Sequence, residues 1–242
     1  MKPKISRVLI CILVGIILLG LTSCGREAGY NIPIVCGETN MNNACGIATY
    51  GVNYYNLGVK AGDMAADILL EGADVSKMPV QFDPNPALSV NTAVAEEIGF
   101  KIPEGVLAKV TDDSTLDVTR VDSAIVSSGG DFTVGILQLV QHVALDEANR
   151  GFQDQLSVRM AAAGKTVTIL SENAAGEQSN NITIAETFVG MKVDLIYTIA
   201  TSSSQAAAAA TEEIPIVFCA VTNPIEAGLV ESLETPGRNV TG

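Results

Sequence analysis

The chain has 242 residues, long enough for one or two domains with a sizeable core. Hydrophobic residues make up 48% and charged residues 17%, a globular balance that excludes wholesale disorder. Fourteen Lys and Arg stand against 27 Asp and Glu, a net charge of −13 with no basic cluster, which argues against a nucleic-acid partner. With no Trp and 5% aromatic residues, the composition also argues against a site that stacks sugar rings or bases.

Lys2, Lys4 and Arg7 precede an apolar run from Val8 to Leu21, which meets Thr22, Ser23 and Cys24. Charge, apolar run and small residues in that order form a secretory signal. The run is too short and too one-sided for a stable spanning helix. Leu21-Thr22-Ser23-Cys24 resembles the bacterial lipobox, which implies that Cys24 is lipidated and becomes the first residue. Residues 1–23 are therefore expected to be a signal peptide and 24–31 a lipid-anchored tether. The product is expected to be exported and held at the cell membrane by acyl chains, facing the periplasm or the exterior. Cys36 and Cys45 are then either a disulfide or two buried free thiols. Their spacing fits no metal motif, and His142 is the single histidine of the chain, so neither a metal nor a cofactor is expected.

A first block spans 32–110. It opens with a short apolar strand at 32–36, followed by a turn-rich stretch. Residues 54–72 carry Leu57, Ala61, Met64, Ala65, Ile68 and Leu69 on one helical face, with Gly72 at the expected stop. Pro79, Pro84 and Pro86 punctuate two short extended pieces. Asn91 can cap a helix that stops at Gly99, and Pro103 can open a last short one.

Residues 111–131, rich in Asp, Ser and Thr and ending near Gly129-Gly130, read as a linker. The second block, 132–242, alternates: apolar strands at 132–139, 166–171, 193–200 and 214–221, helices at 145–163, 180–191 and 203–211, and a further helix after Pro224. Leu145, Ala148, Phe152 and Leu156 form the buried stripe of its first helix. Continuously apolar strands alternating with helices predict an α/β fold, a doubly wound parallel sheet covered on both faces.

In such a sheet a ligand sits beyond the carboxyl ends of the strands, where the strand order reverses. Thr201-Ser202-Ser203-Ser204-Gln205 places hydroxyls and free N–H groups at a helix start, which suits a carboxylate or phosphate; the alternative is plain capping of the Ala-rich helix. Thr222-Asn223-Pro224 opens on the same edge. Gln138, His142 and Asp146 lie around the first-strand loop, where a lone histidine serves a structural hydrogen bond more often than catalysis. No serine elbow, Walker loop or HExxH motif occurs and no nucleophile–base pair assembles, so the chemistry reads as binding and not as turnover.

Residues 134–146 (VGILQLVQHVALD), Arg150-Gly151-Phe152, the turn 176–180 (GEQSN), Ala200-Thr201, 221–224 (VTNP) and 236–242 (PGRNVTG) resemble the opening of the ABC transporter substrate-binding protein family that includes tryptophan- and tyrosine-type binding lipoproteins. Residues 48–58 (ATYGVNYYNLG), Asn91-Thr92-Ala93 and 99–104 (GFKIPE) resemble the end of the same family. The blocks thus stand in reversed order and the middle of the family's chain is missing: a circular permutant cut short, a recombinant of tandem copies, or a short protein completed by another chain. The resemblance implies a periplasmic-binding-protein-like fold, with a flavodoxin-like lobe at 132–242 and a partial second lobe at 32–110. It implies capture of an amino acid or similar small carboxylate and delivery to an ABC permease. Thr201, Ser202 and Ser203 would hold the carboxylate, with Gln138, His142, Thr222 and Asn223 lining the same edge, and Tyr50 and Asn53 closing from the other lobe. Asn53 and Asn223 replace the family's usual Asp, which leaves an α-amino group short of an acidic partner. The alternative is a surface lipoprotein or ligand sensor outside transport.

Overall fold

The computed structural model describes residues 31–83, 86–110 and 129–242, with the side chain of Asn40 excepted. The expected signal peptide, Cys24 and residues 111–128 of the expected linker lie outside the described residues.

The second block builds a five-stranded sheet from β4 (Phe132–Gln138), β5 (Val167–Asn173), β6 (Leu195–Ile199), β7 (Ile216–Cys219) and β8 (Val240–Thr241). Their order is β5-β4-β6-β7-β8, all parallel, the doubly wound arrangement expected from the strand–helix alternation. Between them run α5 (Val143–Ala162), α6 (Gln178–Met191) and α7 (Thr201–Ala210). Alternate strand residues point to opposite faces. Val134, Ile136, Tyr197 and Val217 enter the core with α5, while Leu137, Ile196, Ile216 and Phe218 enter the core with α6 and α7. Phe152 of α5 stacks on Tyr197 of β6 at 3.8 Å between ring centres.

The helix expected after Pro224 is absent. Asn223 accepts from the Glu226 N–H at 3.1 Å, and Gly228, at φ 71°, turns the chain out after a single turn. Residues near the C-terminal end instead join the sheet as β8, a two-residue strand too short to show any periodicity.

The first block is shared between two bodies. Its long helix, α2 (Tyr54–Glu71), starts at the cap Asn53 and ends at Gly72 in the left-handed conformation. It buries Ala61, Met64, Ala65 and Ala66 in the core of the second block. Gly58 and Gly62 let its backbone lie directly on α5: a Cβ on Gly58 would stand 2.8 Å from the Phe152 nitrogen, and one on Gly62 2.8 Å from the Phe152 carbonyl oxygen. Polar groups lace the seam. Tyr55 donates to the buried Asp154 at 3.1 Å beneath Arg150, and Arg159 binds Asp63 at 2.9 Å and Asp67 at 2.7 Å.

After α2 a single 3-10 turn (Val75–Lys77) leads residues 78–83 along the outer strand β8. Thr241 donates to the Met78 carbonyl at 2.7 Å, and Gln81 donates to the Gly242 carbonyl at 2.7 Å. The remainder of the first block forms a small body. β1 (Val35–Cys36) pairs parallel with β2 (Ala48–Gly51), which pairs antiparallel with β3 (Ala87–Val90). Ile47, Ala95, Ile98 and Ile102 fill its core beneath α3 (Thr92–Glu97) and α4 (Glu104–Leu107). The stretch expected to be turn-rich contains α1 (Thr39–Cys45) as well as β2; α1 is seven residues, three of them Asn, with no apolar stripe to betray it.

Candidate functional site

Among the described residues, the chain leaves the small body for α2 at Val52–Asn53, and the segment 78–83 heads back towards β3. They are tied together, because the Asn53 N–H donates to the Asp83 carboxylate at 2.9 Å while the Asn53 side chain caps α2 through the Asn56 N–H. Beside this junction, where β7 ends, lies a cavity of ≈ 370 Å³. Leu57 and Met64 of α2, Phe82 of the returning segment and Phe218 of β7 supply apolar wall. Tyr54, Lys60, Gln81, Asp83 and Thr222 supply polar groups. Burial and the surrounding negative groups raise the Tyr54 phenol above its ordinary range, so it stays a neutral donor at neutral pH. Cys219, in the wall, is buried and its thiol is pushed up to about 11.

The strand ends on this edge are unusual. Ala200 follows β6 with φ 84° and ψ 157°, and Ala220 follows β7 with φ 57°. Both lie in backbone regions that side chains disfavour, costing on the order of 1–3 kcal/mol each. Ala200 is held there from three directions: its N–H donates to the Cys219 carbonyl at 3.0 Å, and its carbonyl accepts from the Ser204 N–H at 3.1 Å and hydroxyl at 2.9 Å. The bend sets α7 on the edge with no side-chain cap on its first turn. The hydroxyl cluster is therefore not a capping device.

The expected site residues separate into groups. Thr222 lines the cavity. Thr201 and Ser202 are half-buried at the start of α7, after the strand that lies between β4 and β7. Ser203 is fully buried and donates to Asn181 of α6 at 2.8 Å, so its hydroxyl faces the helix pair and not the edge. Asn223 caps the turn that follows it. Gln138 is buried at the end of β4, donating to Asp146 at 2.6 Å and to the Val140 carbonyl at 2.9 Å and accepting from Asn149 at 3.0 Å. These residues border an open polar groove of ≈ 550 Å³. His142 is exposed and caps α5, its Nδ1 accepting from the Ala144 N–H at 3.2 Å. Tyr50, 66% exposed, lies on β2 beyond the cavity lining, and Asn53 sits in the crossing.

Sequence reasoning did not single out Lys60, Phe82 or Asp83, because they come together only where α2 and the returning segment meet β7. The bent alanines carried no sequence signal at all. Among the described residues no group of three or more His, Cys, Asp or Glu is placed to hold a metal, and no helix is long and apolar enough to cross a membrane.

The sequence model of a family described as ABC transporter substrate binding protein matches residues 20–113 and 133–242. A curated relative named tyrosine-binding protein, from Clostridioides difficile, is 49% identical over 109 residues, 45% of this chain and 32% of the relative. The match thus spans about a third of that relative's length. Among solved structures, an ABC domain from Streptococcus pneumonia in complex with L-Trp is 38% identical, covering 46% of this chain and 37% of that one, with a TM-score of 0.42. A ligand-free, open substrate-binding protein with adhesive properties from Clostridium difficile is 43% identical, covering 46% of this chain and 38% of that one, with a TM-score of 0.44.

Proposed function

The chain belongs to the ABC transporter substrate-binding protein family, and on that premise we propose that it captures an amino acid with a bulky apolar side chain at the hinge between its two bodies and delivers it to an ABC permease. The observation that carries this reading is the ≈ 370 Å³ cavity, which sets an apolar wall beside one cation, Lys60, and one anion, Asp83. A zwitterion with an apolar side chain needs that combination: a surface to remove from water and one charge of each sign to orient it. Asp83 also answers the loss of acid at positions 53 and 223, since an ammonium can be drawn to Asp83 instead. The name of the 49% identical relative supports tyrosine as the first ligand to test.

In this reading Thr222 touches the ligand from the loop after β7, and Thr201 and Ser202 offer the uncapped start of α7 to a carboxylate as the bodies close. Gln138, His142 and Asn223 shape the edge, and Tyr50 and Asn53 belong to the closing side. Ser203 serves as a brace for α6. Lipidation at Cys24 would keep the protein at the membrane where the permease lies. The reversed block order is read as a circular permutation whose pieces reassemble through the α2–α5 seam.

The test is a thermal melt of residues 25–242 with L-tyrosine, L-tryptophan, L-leucine and glycine. A ligand held only by the native state at about 100 times its Kd adds roughly 2.7 kcal/mol, a shift of a few degrees. A rise with the aromatic acids and none with glycine is expected. A sharp melt that no amino acid moves would overturn the reading.

A further inference from the structure

Cys36 and Cys45 are nine positions apart in a small body that does not contain the cavity. Cys36, on β1, is buried, and Cys45, the last residue of α1, is exposed; both are free thiols. The neighbour of Cys45 is Gly46, and the Cys36 sulfur occupies the space a Cβ there would need, crowding it more closely than Asn42 Oδ1, which stands at 2.7 Å. The two thiols lie within hydrogen-bonding reach of each other. Cys45 also donates to the Met41 carbonyl at 3.6 Å, one turn back along α1. Cys219, the third free thiol among the described residues, belongs to the other body, in the cavity wall.

The surroundings give such a pair work to do. Four buried apolar residues make up the small body's core. The Asn42 amide and the Thr49 hydroxyl are buried without hydrogen-bond partners beside β1 and β2. β1 is two residues long, and its Val35 is 72% exposed. Among the described residues β1 pairs with β2 and with no other strand, and β2 leads directly into the hinge crossing.

We propose that Cys36 and Cys45 are a disulfide site, closed by thiol–disulfide exchange with an oxidising disulfide in the exported protein, and that the bond staples β1 to α1 and steadies the small body. The exposed Cys45 thiolate attacks one sulfur of the donor disulfide, forming a mixed disulfide and releasing one donor thiol. The Cys36 thiolate then attacks Cys45 Sγ, forming the Cys36–Cys45 bond and expelling the second donor thiol. The two protons lost by the cysteines end on the two donor thiols, and the two electrons they give up reduce the donor. Burial holds the Cys36 thiol above its ordinary range, so the exposed partner is the one that meets the donor first.

The test treats the full chain in detergent with oxidised glutathione at pH 8, then unfolds it, alkylates it and maps the peptides by mass. The expected result is a cross-link joining the Cys36 and Cys45 peptides, with Cys219 alkylated, and a melting temperature that falls by several degrees when the bond is reduced. Cys36→Ser is expected to leave glutathione attached at Cys45, and Cys219→Ser to leave the cross-link unchanged. If Cys45 keeps glutathione in the wild-type chain while Cys36 alkylates, or if Cys45 joins any other cysteine, the proposal is wrong. Peptide mapping of the wild-type chain decides the matter even where a variant fails to fold.

Discussion

Replacing Gly58 by Ala tests whether α2 docks on α5 in solution, the contact that joins the first block to the second. The added methyl would stand 2.8 Å from the Phe152 nitrogen and closer still to the Ala148 carbonyl oxygen, against 3.4 Å for ordinary contact. Both obstacles are backbone, so no side-chain rotation relieves the clash and the helices have to part. Separation loosens Tyr55 from Asp154 and thins the packing of Ala61 and Ala65. Overpacking of this kind costs about 3 kcal/mol at the upper end of its usual range. Ala is favoured over Gly inside a helix by about 1 kcal/mol, which leaves a net loss of about 2 kcal/mol. For a chain of this size that is a fall of roughly 4–8 °C in Tm. Gly190→Ala is the control, because that glycine lies in α6 with nothing within 4 Å of the added methyl. It should stabilise by up to about 1 kcal/mol. Urea unfolding and thermal melts of the two variants settle the comparison. Equal stability of Gly58→Ala and Gly190→Ala would refute the seam, and with it the reassembly of the two blocks.

Other consequences can be measured on the same preparation. Phe82→Ala removes an apolar wall of the cavity and should weaken the ligand found in the melt by about tenfold, roughly 1.4 kcal/mol, in a calorimetric titration; an unchanged Kd would move the ligand elsewhere. Asp131 is held near 2, chiefly by the Thr166 N–H, with Lys165 and the Thr166 hydroxyl adding to it. A carboxylate held below its unfolded value contributes stability that is present above the unfolded value, near pH 4, and lost as the pH falls towards 2. Asp131→Asn should therefore flatten the acid limb of a pH–stability curve in that window. Tyr55, buried and donating to Asp154, is raised to about 12, so its contribution is intact below pH 10 and lost between pH 10 and about 12. Tyr55→Phe should shrink the alkaline limb in that window, and a limb identical in both proteins would contradict the assignment.

The sequence by itself determined β4 to β7 and the helices between them in the second block. These strands and helices are set by local apolar periodicity, which is why β4, α5 and β6 lie where the pattern puts them and why the sheet is parallel and doubly wound. The cap and stop of α2 were equally local, in Asn53 and Gly72. Elements without a period escaped: α1, short and Asn-rich, and β8, two residues held by β7 on one side and the returning segment on the other. The helix expected after Pro224 failed because Gly228 turns out of it sooner than Pro224 can extend it.

The candidate site divides the same way. That Thr222 would stand at the carboxyl edge of the sheet, where it lines the cavity, was legible from the strand pattern. What only the tertiary structure decided were relations between distant segments. α2 belongs to the core of the second block because glycines let two helices touch backbone to backbone. Lys60, Phe82 and Asp83 share a cavity because the chain crosses between the bodies there, at Asn53 and again at Asp83. Ser203 turns away from the edge because it lies on the side of α7 that packs on α6. Ala200 can hold a glycine-like backbone because its N–H reaches the Cys219 carbonyl on the neighbouring strand, and no local propensity records a contact of that kind.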